Sequence, residues 1–474
     1  MLNTVIEKGI IFLLIFTPLA IGTVQQWAVS IMETAAFIIF GAWLLKMVVE
    51  GKVITLKTPL IIFFAAMILL IIFQILPLPG GLLDIISPSA GKAYKKFIDD
   101  TDGVWRTISL YSDATKGELF KLLSYAAIFF VIINHYKTEA QANHIVRTII
   151  YMGSFLAVFA VIQKVLWNGK LFWFYPLKAG VHSDMTYIWG PYINHNHFAG
   201  YMEMAIPLGL GLLFYKASNI KTLPNISLSK KIASFANSGE LAPMVLLALS
   251  ALIMSAALFL SLSRGGIIGF TVSMLFFIGI TRTRRSLKKK AGVFALSGIV
   301  IFFLVVMASW SRIEYRFKGV GGEGINRPEI WTDTVGIVKD FPIFGTGLGT
   351  FKNIYPGYQT GHSGFLFEHA ENDYIEILTD TGFAGFMIVT GMMCVFFYSG
   401  IKAWRLRRNL FVKSVAAGGL SSCAAIAAHS FTDFNLRIPA NALLLTIIAA
   451  ITYAAVFNIS SNEQRVKQAM SNEQ

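Results

Sequence analysis

The chain has 474 residues, of which 55% are hydrophobic and only 14% charged, and its formal net charge is +14. A soluble protein has about 25% charged residues. Here the apolar residues fall in runs of about twenty, the length that crosses the roughly 30 Å hydrocarbon core of a bilayer. These features exclude a soluble domain and predict an all-α polytopic membrane protein.

In chain order, the apolar runs predict about twelve transmembrane helices. The expected spans lie near 9–26, 28–47, 60–76, 118–135, 148–166, 198–215, 241–261, 265–281, 292–310, 382–401, 414–431 and 439–457. The first run follows Lys8 like a signal peptide. It lacks a small-residue cleavage site and a second span follows at once, so we expect it to be helix one. Residues 1–457 then form a single transmembrane domain.

Lysine and arginine alternate between the two sides of the predicted helices. With the N-terminus in the cytoplasm, the cytoplasmic segments hold a large excess of basic residues, most clearly at Arg282–Lys290 and Lys402–Lys413. The positive-inside rule therefore predicts that both termini are cytoplasmic, with residues 458–474 as a cytoplasmic tail. This topology explains the net charge, so we expect a lipid bilayer as partner and no nucleic acid.

Two predicted extracytoplasmic segments are long. They are 77–117, the first extracytoplasmic loop, and 311–381, a large loop between helices 9 and 10. A loop as long as the second is usually either functional or disordered. Its interleaved Trp, Tyr and Phe argue against disorder, so we expect it to carry catalytic motifs.

Five polar clusters fall on the predicted outer face. They are 194–197 (NHNH), 263–266 (SRGG), 327–331 (RPEIW), 368–374 (EHAENDY) and 429–437 (HSFTDFNLR). The residues in them that we expect to bind substrate are Asn194, His195, His197, Trp331, Asn372, Asp373, Tyr374, His429, Asp433 and Arg437. His195 and His197 could instead bind a metal, but no third ligand follows from spacing. Glu33 and Glu203 lie within spans, where a carboxylate is a second-tier functional candidate.

Arg264 lies between two apolar spans, where an unpaired arginine is costly. Its planar guanidinium suits bidentate recognition of phosphate, and Arg327 supplies a second one. The alternative is that Arg264 extends to the lipid headgroups as an anchor.

The stretch from His369 to Asp380 predicts the start of a helix that runs into span ten. On such a helix His369, Asn372, Asp373, Glu376 and Asp380 share one face. This face holds the imidazole and carboxylates that general-base chemistry uses. A solvated polar face is the alternative.

These motifs together resemble the O-antigen ligase superfamily of lipopolysaccharide ligases and polysaccharide polymerases. The resemblance covers roughly residues 190–445. It rests on Ser263 to Gly265, on Arg327 with Trp331, on 341–347 (FPIFGTG), on 369–374 with 382–385 (GFAG), and on His429 to Asn441.

The resemblance implies an inverting GT-C-type glycosyltransferase of the bacterial inner membrane, active on its periplasmic or extracytoplasmic face. It implies a glycan donor on undecaprenyl diphosphate, a glycan or lipid-A-core acceptor, and no cofactor or metal. A chain-length regulator is a further candidate partner. Arg264 and Arg327 would meet the diphosphate charge.

The sequence departs from the ligases at the catalytic base, because Glu371 stands where the ligase motif has histidine. Either Glu371 or His369 could accept the acceptor proton, and His369 is favoured for its intrinsic pKa. The departure slightly favours a polymerase over a ligase. The alternative function is a lipid-linked oligosaccharide flippase or another transporter, although such proteins place their sites near the membrane midplane.

Overall fold

A computed structural model describes residues 1–51, 55–97, 105–176, 187–218, 239, 241–282, 327–361 and 366–459. These residues form fifteen α-helices. The helices are α1 (Leu2–Leu19), α2 (Gln26–Glu50), α3 (Leu60–Ile75), α4 (Gly80–Ile86), α5 (Pro88–Phe97), α6 (Ser112–His135), α7 (Glu139–Val165), α8 (His195–Ser218), α9 (Leu241–Leu260), α10 (Arg264–Arg282), α11 (Arg327–Asp340), α12 (Phe351–Ile354), α13 (Asp373–Leu406), α14 (Leu410–His429) and α15 (Pro439–Phe457). Two short antiparallel strands, β1 (Lys170–Leu171) and β2 (Tyr175–Pro176), form a hairpin after α7.

Ten of the described helices are long and apolar enough to cross a membrane, and α3 is a shorter apolar helix. The prediction of an all-α polytopic membrane protein is therefore confirmed. The predicted span at 292–310, the basic run after Arg282 and the tail from 460 onward lie outside the described residues.

The centre of the bundle is the pair α8 and α14, which pack against each other and against α10. Both helices are buried along most of their length, whereas α13 is mostly peripheral. The sequence of α14 is rich in Ala, Gly and Ser, and small residues let membrane helices approach closely. The ends of α8 and α14 are therefore fixed positions on which a site can be built.

A second, smaller hydrophobic core lies outside the main bundle. It joins Leu83 and Ile108 of the first long loop to Ile330, Phe341 and Tyr355 of the second. The described parts of the two long loops thus pack together instead of standing as separate loops. This shared core supports α11, which carries Arg327.

Helix α13 is broken at Gly382, where φ is 62° and ψ is −167°, a conformation available almost only to glycine. The segment 341–347 fills the break with its own backbone. The N–H groups of Thr346 and Gly347 donate to the carbonyls of Thr379 and Asp380, both at 3.0 Å. On the other side of the break, the N–H groups of 383 and 384 donate to the carbonyls of 342 and 343, at 2.8 and 3.0 Å. The two glycine-containing segments, 341–347 and 382–385, are therefore bound to each other through their backbones at the break in α13.

We expect Gly382→Ala to destabilise the protein. The added Cβ would lie 2.3 Å from the carbonyl carbon of Ile343, and the backbone strain alone costs about 1–3 kcal/mol. Gly41→Ala on α2 is the control, because a Cβ there meets nothing within 4 Å. Thermal unfolding of the detergent-purified variants measures the difference. Equal stability of the two variants would contradict this account of the break.

Candidate functional site

The predicted polar clusters meet at the segment 429–437, which links α14 to α15. The start of α13 is tied to this segment by Asp373. Its N–H donates to the carbonyls of Ser430 at 3.0 Å and Asp433 at 3.2 Å. Its carboxylate accepts from the Ser430 hydroxyl at 2.7 Å and from the Leu436 N–H at 3.2 Å.

The predicted helix over 369–380 begins later than expected, at Asp373. Asn372 is its N-cap, and its side-chain oxygen accepts from the N–H groups of Tyr374 at 3.0 Å and Ile375 at 3.1 Å. Asparagine is among the preferred capping residues, which explains why the helix starts here. The prediction that His369 shares a helix face with Glu376 is therefore wrong, because His369 lies in the segment before the helix.

Asn372 and Tyr374 also bind the neighbouring helix end. The Asn372 amide donates to the Phe431 carbonyl at 2.9 Å, and the Tyr374 hydroxyl donates to the Ala427 carbonyl at 2.7 Å. Tyr374 also packs its ring against Phe431, with centroids 4.4 Å apart. These contacts give both residues a structural role, and their predicted contact with substrate stays a prediction.

Arg327, the first residue of α11, joins the second long loop to the linking segment. Its Nη2 lies 2.8 Å from Glu371 Oε2 and 3.4 Å from Asp433 Oδ2. Glu371 has a φ of 54°, which is uncommon for a residue other than glycine and has to be held by its surroundings. Two of the candidate catalytic residues, Arg327 and Glu371, are thus in direct contact.

Asp433 receives two further contacts from the start of α8. Asn196 donates its amide to Oδ2 at 2.5 Å, and His197 Nε2 lies 3.3 Å from Oδ1. Asn194 accepts from the Asn196 N–H at 2.8 Å and so shapes the start of the helix. His195 is turned elsewhere and stacks on Tyr187 at a centroid distance of 4.5 Å.

His369 lies in a second group of charged residues beside the first. Its Nδ1 is 2.9 Å from Glu376 Oε1, and its ring stacks on Phe434 with centroids 4.3 Å apart. Phe434 also contacts His197, edge to face, at 4.7 Å. One aromatic ring therefore lies between the two histidines.

Arg437 holds two buried carboxylates of α13. Its Nε is 2.8 Å from Glu376 Oε1, and its Nη2 is 2.6 Å from Asp380 Oδ2. The Gly349 N–H also donates to Asp380, at 2.7 Å. The Arg437 side chain is only 11% exposed, so its charge interacts mainly with groups inside the protein. Its predicted contact with substrate stays a prediction.

His429 and Glu203 form a fully buried pair beneath the polar surface, with His429 Nδ1 3.0 Å from Glu203 Oε1. The first turn of α10 packs closely against His429 of this pair. A Cβ on Gly265 would lie 2.5 Å from His429 Nε2, so only glycine permits this approach. Ser263 caps α10 by accepting from the Gly266 N–H at 3.1 Å, and Arg264 is exposed at its first turn.

The pKa values of the ionisable groups outside the spans depend strongly on burial and on neighbouring charges. Burial, the charge of Asp433 and the opposing charge of Arg327 together set the pKa of Glu371 at about 7. Burial would raise the pKa of Asp433, but the hydrogen bond and charge of His197, with the charges of His429 and Arg327, lower it well below its usual range. Burial lowers the pKa of His369, but the charge and hydrogen bond of Glu376 raise it by more.

Four of the five clusters thus contact the fifth. Trp331 completes the set, because its Nε1 donates to the Ala370 carbonyl at 3.0 Å. Glu33 is half-buried on α2 and has Lys121 and Glu118 of α6 as charged neighbours. In the part of the chain that the structure describes, no three His, Cys, Asp or Glu side chains are grouped to hold a metal ion.

Sequence reasoning did not single out Glu376, Asn196 or Phe434 as site residues, nor Gln74. Glu376 was visible only as part of a polar stripe. Gln74 lies in α3, where nothing in the sequence shows that its amide donates to the carbonyls of Phe344 at 2.6 Å and Asp380 at 2.8 Å. A polar residue inside an apolar run is the one signal that could have marked it.

Comparison with known proteins identifies a family for part of the chain. Residues 249–390, which include Arg264, Arg327, His369 and Glu371, match the family model described as O-Antigen ligase. No curated protein matches the chain. The matched family is one of membrane glycosyltransferases of the ligase and polymerase type. The resemblance to the O-antigen ligase superfamily is therefore confirmed at family level over residues 249–390.

Proposed function

We propose that the protein is an inverting glycosyltransferase on the extracytoplasmic face of the bacterial inner membrane. Its donor is a glycan on undecaprenyl diphosphate and its acceptor is a glycan hydroxyl. Polymerisation of O-antigen or exopolysaccharide is favoured slightly over ligation, because Glu371 replaces the ligase histidine. The observation that carries the proposal is the convergence of four polar clusters on the segment 429–437.

The proposed reaction is a single displacement. The acceptor oxygen attacks the anomeric carbon, the bond from that carbon to the diphosphate oxygen breaks, and the bonding electron pair leaves with the diphosphate. Negative charge therefore grows on the leaving group, while the acceptor hydroxyl has to lose a proton. The site must supply cations for the first event and a base for the second.

Arg264 and Arg327 are the cations we assign to the diphosphate. Arg264 is exposed at the first turn of α10, where the helix dipole also favours an anion. Arg327 is 28% exposed and is held by Glu371 and Asp433. A diphosphate that binds Arg327 competes with Glu371 for the guanidinium. A carboxylate with a pKa of about 7 is displaced from an arginine more easily than a strongly acidic one.

His369 is the base that the contacts support best, with Glu371 the alternative. A carboxylate accepts hydrogen bonds only, so the Glu376 contact places the Nδ1 proton of neutral His369 between the two side chains. The lone pair then belongs to Nε2. The His369 side chain is 28% exposed, whereas Glu371 has its carboxylate on Arg327.

Alanine in place of Arg264 or Arg327 is expected to abolish polymer formation in a complementation assay. Losing a hydrogen bond to a charged group costs about 1.5–3 kcal/mol in binding alone. Lysine at either position is expected to restore little, because it keeps the charge and loses the planar fork. Arg408→Ala, at the predicted cytoplasmic end of α13, is the control and should leave polymer formation unchanged. Wild-type output from an Arg264 or Arg327 variant would remove that residue from the mechanism.

Alanine in place of His369 should lower glycan transfer by about 10²- to 10⁴-fold, the usual contribution of a general base. Glu371→Ala should keep measurable transfer, since it removes a competitor for Arg327 and leaves the base in place. Both variants are compared in detergent with a defined lipid-linked donor. Near-normal turnover of the His369 variant with collapse of the Glu371 variant would reverse the assignment.

A further inference from the structure

The Glu376 carboxylate is held on both of its oxygens. Oε1 lies 2.9 Å from His369 Nδ1, and Oε2 accepts from the Ala370 N–H at 2.9 Å. With both oxygens engaged on the segment before α13, the carboxylate cannot rotate without losing a contact. Glu376 therefore fixes both the position of the His369 ring and the nitrogen that carries its proton.

The guanidinium of Arg437 compensates the negative charge of Glu376. The Glu376 side chain is 2% exposed, and an unpaired carboxylate at such a site is costly. The guanidinium supplies Nε to Glu376 at 2.8 Å and Nη2 to Asp380 at 2.6 Å. This bridge stabilises the ionised form of Glu376, which is the form that accepts from the imidazole.

Phe434 controls the plane of the His369 ring by stacking on it at an interplanar angle of 23°. The charged and titratable groups that act on His369 are Glu376 of α13, Arg437 of the segment 429–437, Glu368 and Glu371 of its own segment, and His197 of α8. Among them Glu376 is the one in hydrogen-bond contact with the ring.

We infer that Glu376, kept ionised by Arg437, is a positioning residue for His369: it holds the Nδ1 proton, directs Nε2 to the acceptor hydroxyl and stabilises the imidazolium formed when the proton is taken. This inference rests on the proposed function, in which His369 is the base. It gives Arg437 a role inside the protein in place of the predicted contact with substrate. The arrangement follows the general logic of a carboxylate that orients a catalytic imidazole.

The role has a signature in the pH dependence of turnover. The base acts in its neutral form, so turnover falls as the pH drops through the pKa of His369. Burial lowers that pKa, and the charge and the hydrogen bond of Glu376 together raise it by more. Removing the charge lowers the pKa, and the acid limb of the pH–rate profile then moves to lower pH.

The test is the pH–rate profile of purified Glu376→Gln with an undecaprenyl-diphosphate-linked glycan as donor. We expect maximal turnover to fall about tenfold or more and the acid limb to move to lower pH. Asp373→Asn is the matched control. It removes another buried carboxylate of the same helix turn, one bound to Ser430 and Leu436, and its acid limb should stay in place whatever its rate.

A lower rate with an unmoved acid limb in Glu376→Gln would show a structural role only and overturn the inference. If that variant does not fold, Glu376→Asp is used, because it keeps the charge opposite Arg437 and withdraws the carboxylate from Nδ1. Full turnover in Glu376→Asp would also overturn the inference. Failure of the proposed base is a different outcome: transfer would then persist in His369→Ala, whatever the Glu376 variants do.

Discussion

The buried carboxylate of Asp433 is the interaction on which the rest of the site depends. It is 1% exposed and lies within 3.4 Å of Arg327 and 3.3 Å of His197. Burying a carboxylate costs several kcal/mol unless cations and hydrogen bonds compensate. Three distant parts of the chain therefore have to meet at one point: the start of α8, the start of α11 and the segment 429–437. Bringing them together also places Glu371 beside Arg327.

The need to compensate buried carboxylates also explains a second group of charged residues on the other side of Phe434, where Arg437 binds Glu376 and Asp380. The two groups have different chemistry. Around Asp433, Arg327 is partly exposed and its carboxylate partner Glu371 has a pKa of about 7, and in the proposed reaction the diphosphate replaces Glu371 on this arginine. Around Arg437, the charges are buried and fixed. A replaceable pair suits a leaving group, and a fixed pair suits a base that has to keep its orientation.

The sequence was informative where a local pattern determines the structure. Apolar runs predicted the spans, and the polar clusters predicted which parts of the chain carry the site, since Arg327, Glu371 and Asp433 each come from a different cluster and lie together. Asn372 could have been recognised as a helix cap from its residue type, which would have placed His369 outside α13. The contact between Glu371 and Arg327 and the core shared by the two long loops could not be predicted. They depend on which distant segments pack together, and no periodicity within one segment reports that.

The central claim is that the site breaks the glycan–diphosphate bond and does not move an intact lipid-linked glycan across the bilayer. The most direct measurement uses the purified wild-type protein in liposomes with an undecaprenyl-diphosphate-linked donor and a glycan acceptor. Mass spectrometry follows the lipid product, and a membrane-impermeant probe follows the side on which the donor lies. The account predicts one free undecaprenyl diphosphate for each glycan transferred. Donor that changes sides with its diphosphate bond intact, and with no transfer product, would contradict it.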